Sequence, residues 1–290
     1  MSISDKLTTV AENVPKVYEA GKKAEYDEFW DTIQNFGKRE VYYYTFCNID
    51  AYSPYYQMGN WNEKKFLPKY PIAPKKCGTA VFFGLEIDNF IEHCEKNGIV
   101  IDLSQATTIS NFYRGLKTKC IPDINAKSAT EISSTFYDCT LLEESPDILN
   151  GELITNYNAC YSGCNVMTKI PRLWATNVTN YTSAFNSCSS LSEIEQIEGE
   201  IKVDIKFKWS PLSTASLKSI ITHLKPYYGT DKEFTYTLTV KASAWEALEE
   251  AGFTDEDYQW VFDNWGTPPS AYDSWETLMG GWLGWNLVLA

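Results

Sequence analysis

Asn177-Val-Thr-Asn-Tyr-Thr-Ser-Ala-Phe185-Asn-Ser-Cys188-Ser-Ser-Leu191 is the stretch on which the reading of the fold turns, because the chain has already spelled it twice. Glu131-Ile-Ser-Ser-Thr-Phe136-Tyr-Asp-Cys139-Thr-Leu-Leu142 is one earlier copy, and Asn156-Tyr-Asn-Ala-Cys-Tyr161-Ser-Gly-Cys164-Asn-Val-Met167 lies between them. Between residues 109 and 197 whole columns shift together by 24 or 25 residues. Phe112, Phe136, Tyr161 and Phe185 form one column, Ile132, Tyr157 and Tyr181 another, and Pro122, Pro146 and Pro171 a third, with Ile124, Ile148, Leu173 and Ile197 beside it. A fixed period of this size predicts one small unit stacked on copies of itself. Each aromatic ring is then buried against the unit above and below, contributing roughly 1.5–3 kcal/mol. The Pro-x-Ile segment predicts a short extended stretch, and the Ser/Thr/Asn-rich run predicts the return turns.

The three in-phase cysteines follow from the same argument. Cys139, Cys164 and Cys188 share one phase, which marks them as small buried side chains rather than bonded or metal-bound thiols. Eight cysteines and two histidines in 290 residues offer no zinc spacing beyond Cys160-x3-Cys164, so no metal and no cofactor is expected. A net charge of −13 argues against nucleic acid or an anionic membrane as the main partner. The N-terminus lacks a basic start followed by an apolar run, and no window reaches ~20 apolar residues, so neither a signal peptide nor membrane insertion is expected.

Outside the repeats the pattern changes. Residues 1–37 read as a helical stalk or anchor, with Leu7, Val10, Val14 and Val17 at 3–4 spacing and Phe29, Trp30 and Ile33 continuing the stripe. That stripe suits either a coiled-coil seam, giving a homo-oligomer, or packing on the next domain. Residues 38–78 contain an aromatic strand, Glu40–Phe46, and a linker. From Ile201 to Trp209 apolar and charged residues alternate as in a half-buried strand. Helix is expected over Ser210–Leu224 and Ser243–Ala251, and strand over Phe234–Val240 and Gly284–Ala290. Residues 211–290 are read as a mixed α/β cap with a tryptophan-rich insertion.

The phrase over 177–191 resembles the repeat of BspA-like leucine-rich-repeat proteins, which carries the same asparagine-threonine run, a Phe three residues before Cys and a Leu three after it. The likeness spans residues 79–210. It departs at Gly115-Leu116, where a Cys would stand, and at Tyr161, which replaces a Phe. It implies an α+β repeat protein: a leucine-rich-repeat solenoid of period 24–25, with an N-terminal helix and the α/β cap. The opening Asp5–Trp30 and the helix-strand-helix ending are similar to repeat proteins encoded in phages and prophages of gut-type Gram-positive bacteria. That second likeness implies a tail- or virion-associated protein, joined to other virion proteins through its N-terminal helix and contacting a host surface glycan or protein. A bacterial adhesin at the cell surface is the alternative implied by the repeat class.

No phosphate loop, Gly-x-Ser-x-Gly elbow or His-Glu-x-x-His motif is present. None of the 38 acids stands out as half of a glycosidase pair, so a glycan-degrading enzyme ranks last and no catalytic residue is named. Six of ten tryptophans fall in the last 46 residues. Trp245 and Trp285 lie on a helix face and a strand and are expected to pack. Trp260, Trp265, Tyr272, Trp275 and Trp282 are candidates for a binding surface, where large rings grip a sugar or a protein at small entropic cost. The competing expectation is that they fill the C-terminal core.

Overall fold

The computed structural model describes residues 87–96, 101–227, 236–265 and 274–290. The expected stalk (1–37), with Leu7, Val10, Val14, Val17, Phe29, Trp30 and Ile33, and the aromatic segment (38–78) lie outside the described residues. Within them, α1 (Phe90–Lys96) precedes β1 (Ile124–Asn125), β2 (Ile148–Leu149), β3 (Lys169–Trp174) and β4 (Glu193–Glu198). The C-terminal part contains β5 (Ile205–Phe207), α2 (Thr214–Thr222), β6 (Thr237–Val240), α3 (Ala242–Ala251), α4 (Asp255–Trp265) and β7 (Asn286–Leu289). A turn of helix over Trp275–Thr277, continued by a wider π-helical stretch to Leu283, precedes β7.

The expected leucine-rich-repeat solenoid is not what these residues form. The helices are few and short, and the strands make separate small parallel sheets, β1-β2, β3-β4 and β5-β6-β7. A leucine-rich-repeat sheet needs one strand per unit paired without interruption. Here β1 and β2 are two residues long, and three of the units carry a proline without an N–H, Pro122, Pro146 and Pro171, just before or within the strand segment. Pro171 sits inside β3, where the register steps from Ile170↔Ile194 to Arg172↔Gln196.

What the sequence period does build is a run of turns bonded in parallel, each to the next. Single bridges join Thr108 to Glu131, Glu131 to Asn156 and Asn156 to Asn180. Ile132 N–H donates to Asn156 O, Phe136 N–H to Cys160 O, and Tyr161 N–H to Ala184 O. On the outer side Thr130, Thr155 and Thr179 each direct both N–H and Oγ1–H at the carbonyl of the preceding member, Thr107, Thr130 and Thr155. Two positions in every turn take left-handed backbone: Asn111, Ser134, Ala159 and Ser183 at φ 60°, 55°, 51° and 56°, then Gly115, Asp138, Gly163 and Ser187 at 68°, 58°, 86° and 60°. Short polar residues and glycine tolerate that conformation best, which is why the turn run is written in Ser, Asn, Asp and Gly.

Inside, rings stack in a file. Tyr113 faces Phe136 at 5.9 Å, Phe136 faces Tyr161 at 5.2 Å, Tyr161 faces Phe185 at 6.0 Å and Phe185 faces Phe207 at 4.6 Å between centroids. The file starts at Tyr113, not at Phe112 as the 24-residue spacing suggested. The first interval is 23 residues, and Phe112 instead shares its position with the fully buried Thr135. Thr135 satisfies its hydroxyl on Ile109 O and Ile132 O at 3.0 and 2.8 Å. Tyr157 and Tyr181 form a second file at 5.3 Å, with Tyr181 Oη–H donating to Trp174 O.

The in-phase cysteines are buried free thiols. Cys139, Cys164 and Cys188 each donate S–H to a carbonyl of the preceding turn, at Tyr113, Phe136 and Tyr161, over 3.0–3.1 Å. Burial pushes the Cys139 and Cys188 thiols up to about 12, so the reactive thiolate is suppressed. Among the described residues no group of three His, Cys, Asp or Glu is placed to hold a metal ion, and no helix is long and apolar enough to cross a membrane.

Candidate binding surface

Helix α4 is fixed at its start by a reciprocal cap. Thr254 Oγ1 accepts from Asp257 N–H at 3.2 Å, and the Asp257 carboxylate accepts from Thr254 N–H at 2.9 Å and from its hydroxyl at 2.7 Å. Asp257 also accepts from the Lys218 ammonium of α2 at 2.6 Å. Burial raises the Asp257 carboxyl, but the Lys218 and Thr254 hydrogen bonds outweigh it and hold the group below its ordinary value. The inward face is completed by Val261, which is buried.

That anchoring turns an aromatic face outward. Tyr258 and Phe262, one helical turn apart, are 41% and 45% exposed. Trp260 and Trp265 lie half-buried beside them, edge to face at 5.0 Å, with partial packing on the core. Asp255, Glu256 and Asp263 share this helix, which has no basic residue. The surface is aromatic and acidic, suited to large-area contact.

Of the tryptophan candidates, Trp275 is corrected: it is 1% exposed. Its indole N–H donates to Gly252 O at 3.3 Å, Phe253 meets it edge on at 4.7 Å, and the Lys218 ammonium lies 5.2 Å from its ring centre. Its ring is core, because Ser274 starts a capped turn that rolls it inward. Tyr272 and the Trp282 side chain lie outside the described residues. Trp245 and Trp285 are buried as expected, the latter donating to Lys225 O at 2.9 Å.

Attention to tryptophan alone missed Tyr258 and Phe262. Their signal was partial: in Asp255–Trp265, Tyr258 and Phe262 stand a full turn apart on one stripe of the helix, and only the structure shows that this stripe lies outside the buried line of Val261. Trp209 was missed for a different reason. The alternation Ile201, Val203, Ile205, Phe207, Trp209 predicts an inward ring, but β5 ends at Phe207 and a turn leaves Trp209 47% exposed.

The strand side carries a separate charge row. Arg172 bridges Asp147 at 3.0 Å and Glu198 at 2.8 Å, and its guanidinium lies 5.8 Å from the Trp174 ring centre. The neighbouring carboxylates hold Arg172 further toward its charged form. Trp174 itself is folded under, donating from its indole to Ile148 O, in space left open by Gly151. A methyl group there would come within 2.5 Å of the indole. With every charge paired, this row reads as a clasp between adjacent turns.

No protein-family model matches the chain, and neither a curated protein nor a solved structure matches it.

Proposed function

We propose that this chain is a non-enzymatic structural protein of a phage or prophage particle, tail- or virion-associated, which binds a host or partner surface through exposed aromatic side chains. The observation that carries the reading is the α4 face. Two large rings, Tyr258 and Phe262, are turned to solvent on a helix held in place by the buried Val261, the Lys218–Asp257 ion pair and the Thr254 cap. Rings presented on a helix anchored by a cap and an ion pair lose less entropy on binding, and aromatic residues are prominent in recognition energetics. The particle assignment rests on the likeness of the N-terminal and C-terminal segments to phage-encoded repeat proteins.

The test separates the two parts. Antibody against the chain should label the tail or surface of purified particles, and particles free of the chain would sink the assignment. For recognition, a Tyr258→Ala/Phe262→Ala variant should lower attachment to host cells about tenfold or more, while its melting temperature moves by no more than a few degrees. Attachment at the native level with both rings removed would overturn the binding role of α4.

A further inference from the structure

From the turn side of the molecule we infer that a row running from Arg114 to Trp209 is a binding subsite for a carboxylate-bearing oligosaccharide. The row deepens the recognition reading above but uses none of its residues. Consecutive turns place Arg114, Tyr137, Ser162 and Asn186 at one shared position. Their neighbours show it: Gly115 N–H donates to Tyr137 O, Asp138 N–H to Ser162 O and Gly163 N–H to Asn186 O, at 2.7–2.9 Å. Trp209 closes the row by donating its indole N–H to Asn186 Oδ1 at 3.1 Å.

An indole 47% exposed on a turn would ordinarily be free to rotate. Here the Asn186 bond fixes its plane, and the Lys208 ammonium sits 5.0 Å from the ring centre. At the other end the Arg114 guanidinium lies 4.6 Å over the Tyr137 ring. The two cation–aromatic pairs are three turns apart, about 14 Å at the ~4.8 Å separation of hydrogen-bonded neighbours. Between them stand the buried Ser162 and the short amide of Asn186, so the row is low in the middle and aromatic at both ends. That span accommodates roughly three sugar rings, one of which stacks by its C–H face on the half-exposed Trp209 indole.

The polar groups give the ligand its charge. Arg114 donates to Asn111 Oδ1 at 3.3 Å and Lys117 to Thr140 Oγ1 at 2.8 Å. Neither of these cations, nor Lys208, has a carboxylate partner among the described residues, in a chain whose net charge is −13. Since Asn186 Oδ1 already accepts from Trp209, its amide N–H groups are the part left to donate. Asp138, beside Tyr137 and against Gly163, is an acid that stands next to the row. A chain with a sugar face for Trp209 and a carboxylate at either cationic end fits the arrangement.

The test is titration of the full chain with tri- to hexa-galacturonate against maltohexaose as the neutral probe, by calorimetry at low salt. Saturable binding of the galacturonates is expected, at least tenfold tighter than maltohexaose and weakened by 0.5 M NaCl. Trp209→Ala, and separately Arg114→Gln, should each weaken it tenfold or more at unchanged melting temperature. Tyr258→Ala/Phe262→Ala should bind as the native chain does, which keeps this site distinguishable from the α4 surface. Absence of saturable galacturonate binding, equal binding of the neutral probe, or native affinity in both Trp209→Ala and Arg114→Gln would each overturn the proposal.

Discussion

Ala159 occupies a left-handed backbone position, φ 51°, that its counterparts in neighbouring turns fill with Asn111, Ser134 and Ser183. An L side chain there crowds its Cβ against the carbonyl, at a cost of roughly 1–2 kcal/mol, and alanine has no polar group to form a compensating local bond. Ala159→Gly removes that strain but gives the unfolded chain more freedom. The balance favours the folded state by about 0.5–1 kcal/mol. A denaturant melt should therefore show a raised midpoint, and a lowered midpoint would contradict the strain argument. Trp209 makes a related point. One hydrogen bond, to Asn186, ties down the plane of a half-exposed ring that would otherwise have nothing but its own turn to orient it.

At the scale of elements, an ion pair between Lys218 and Asp257 ties α4 to α2. Asp257 titrates below its ordinary value because Lys218 and Thr254 stabilise its anion. A carboxyl depressed in the folded state contributes stability that is fully present above the ordinary value near 4 and is lost as pH falls through the folded value. The native chain should lose stability as pH falls below about 4, partly through this group. Lys218→Met should lower stability at pH 7 by about 1 kcal/mol and flatten that acid limb. An acid limb as steep as the native one would show that Lys218 does not hold Asp257. The expected helices and strands of residues 201–290 were legible at this scale because their patterns are local. The expected helix over Ser243–Ala251 appears as Ala242–Ala251, and the final strand as Asn286–Leu289. Burial of Trp275 was not legible, since its partners Phe253, Gly252 and Lys218 come from other parts of the chain.

For the whole molecule, the ring file from Tyr113 to Phe207 links the turn region to β5 through one continuous core. Phe136 lies mid-file and fully buried, between Tyr113 and Tyr161. Phe136→Ala should cost about 3–5 kcal/mol by loss of burial plus the cavity left behind. The measure is the unfolding midpoint of the intact chain, and a cost below 1 kcal/mol would mean that the turns do not depend on the file. Hydrogen exchange should slow least in Thr130, Thr155 and Thr179, whose bonds lie on the exposed side.

The sequence by itself determined the phase of the core: which residues of each unit are aromatic and buried, where small polar residues must turn the chain, and that the in-phase cysteines are packing groups. These follow from side-chain chemistry repeated at nearly fixed spacing, so they survive without coordinates. Only the tertiary structure decided that the first interval is 23 residues, because Phe112 and Tyr113 are both aromatic and either satisfies the pattern. It also replaced the expected solenoid by turns with small separate sheets, since strand pairing depends on whether neighbouring backbones keep their N–H groups in register. And it decided exposure: Tyr258, Phe262 and Trp209 face solvent while Trp275 is core, because burial is set by what lies across from a side chain, not by the side chain itself.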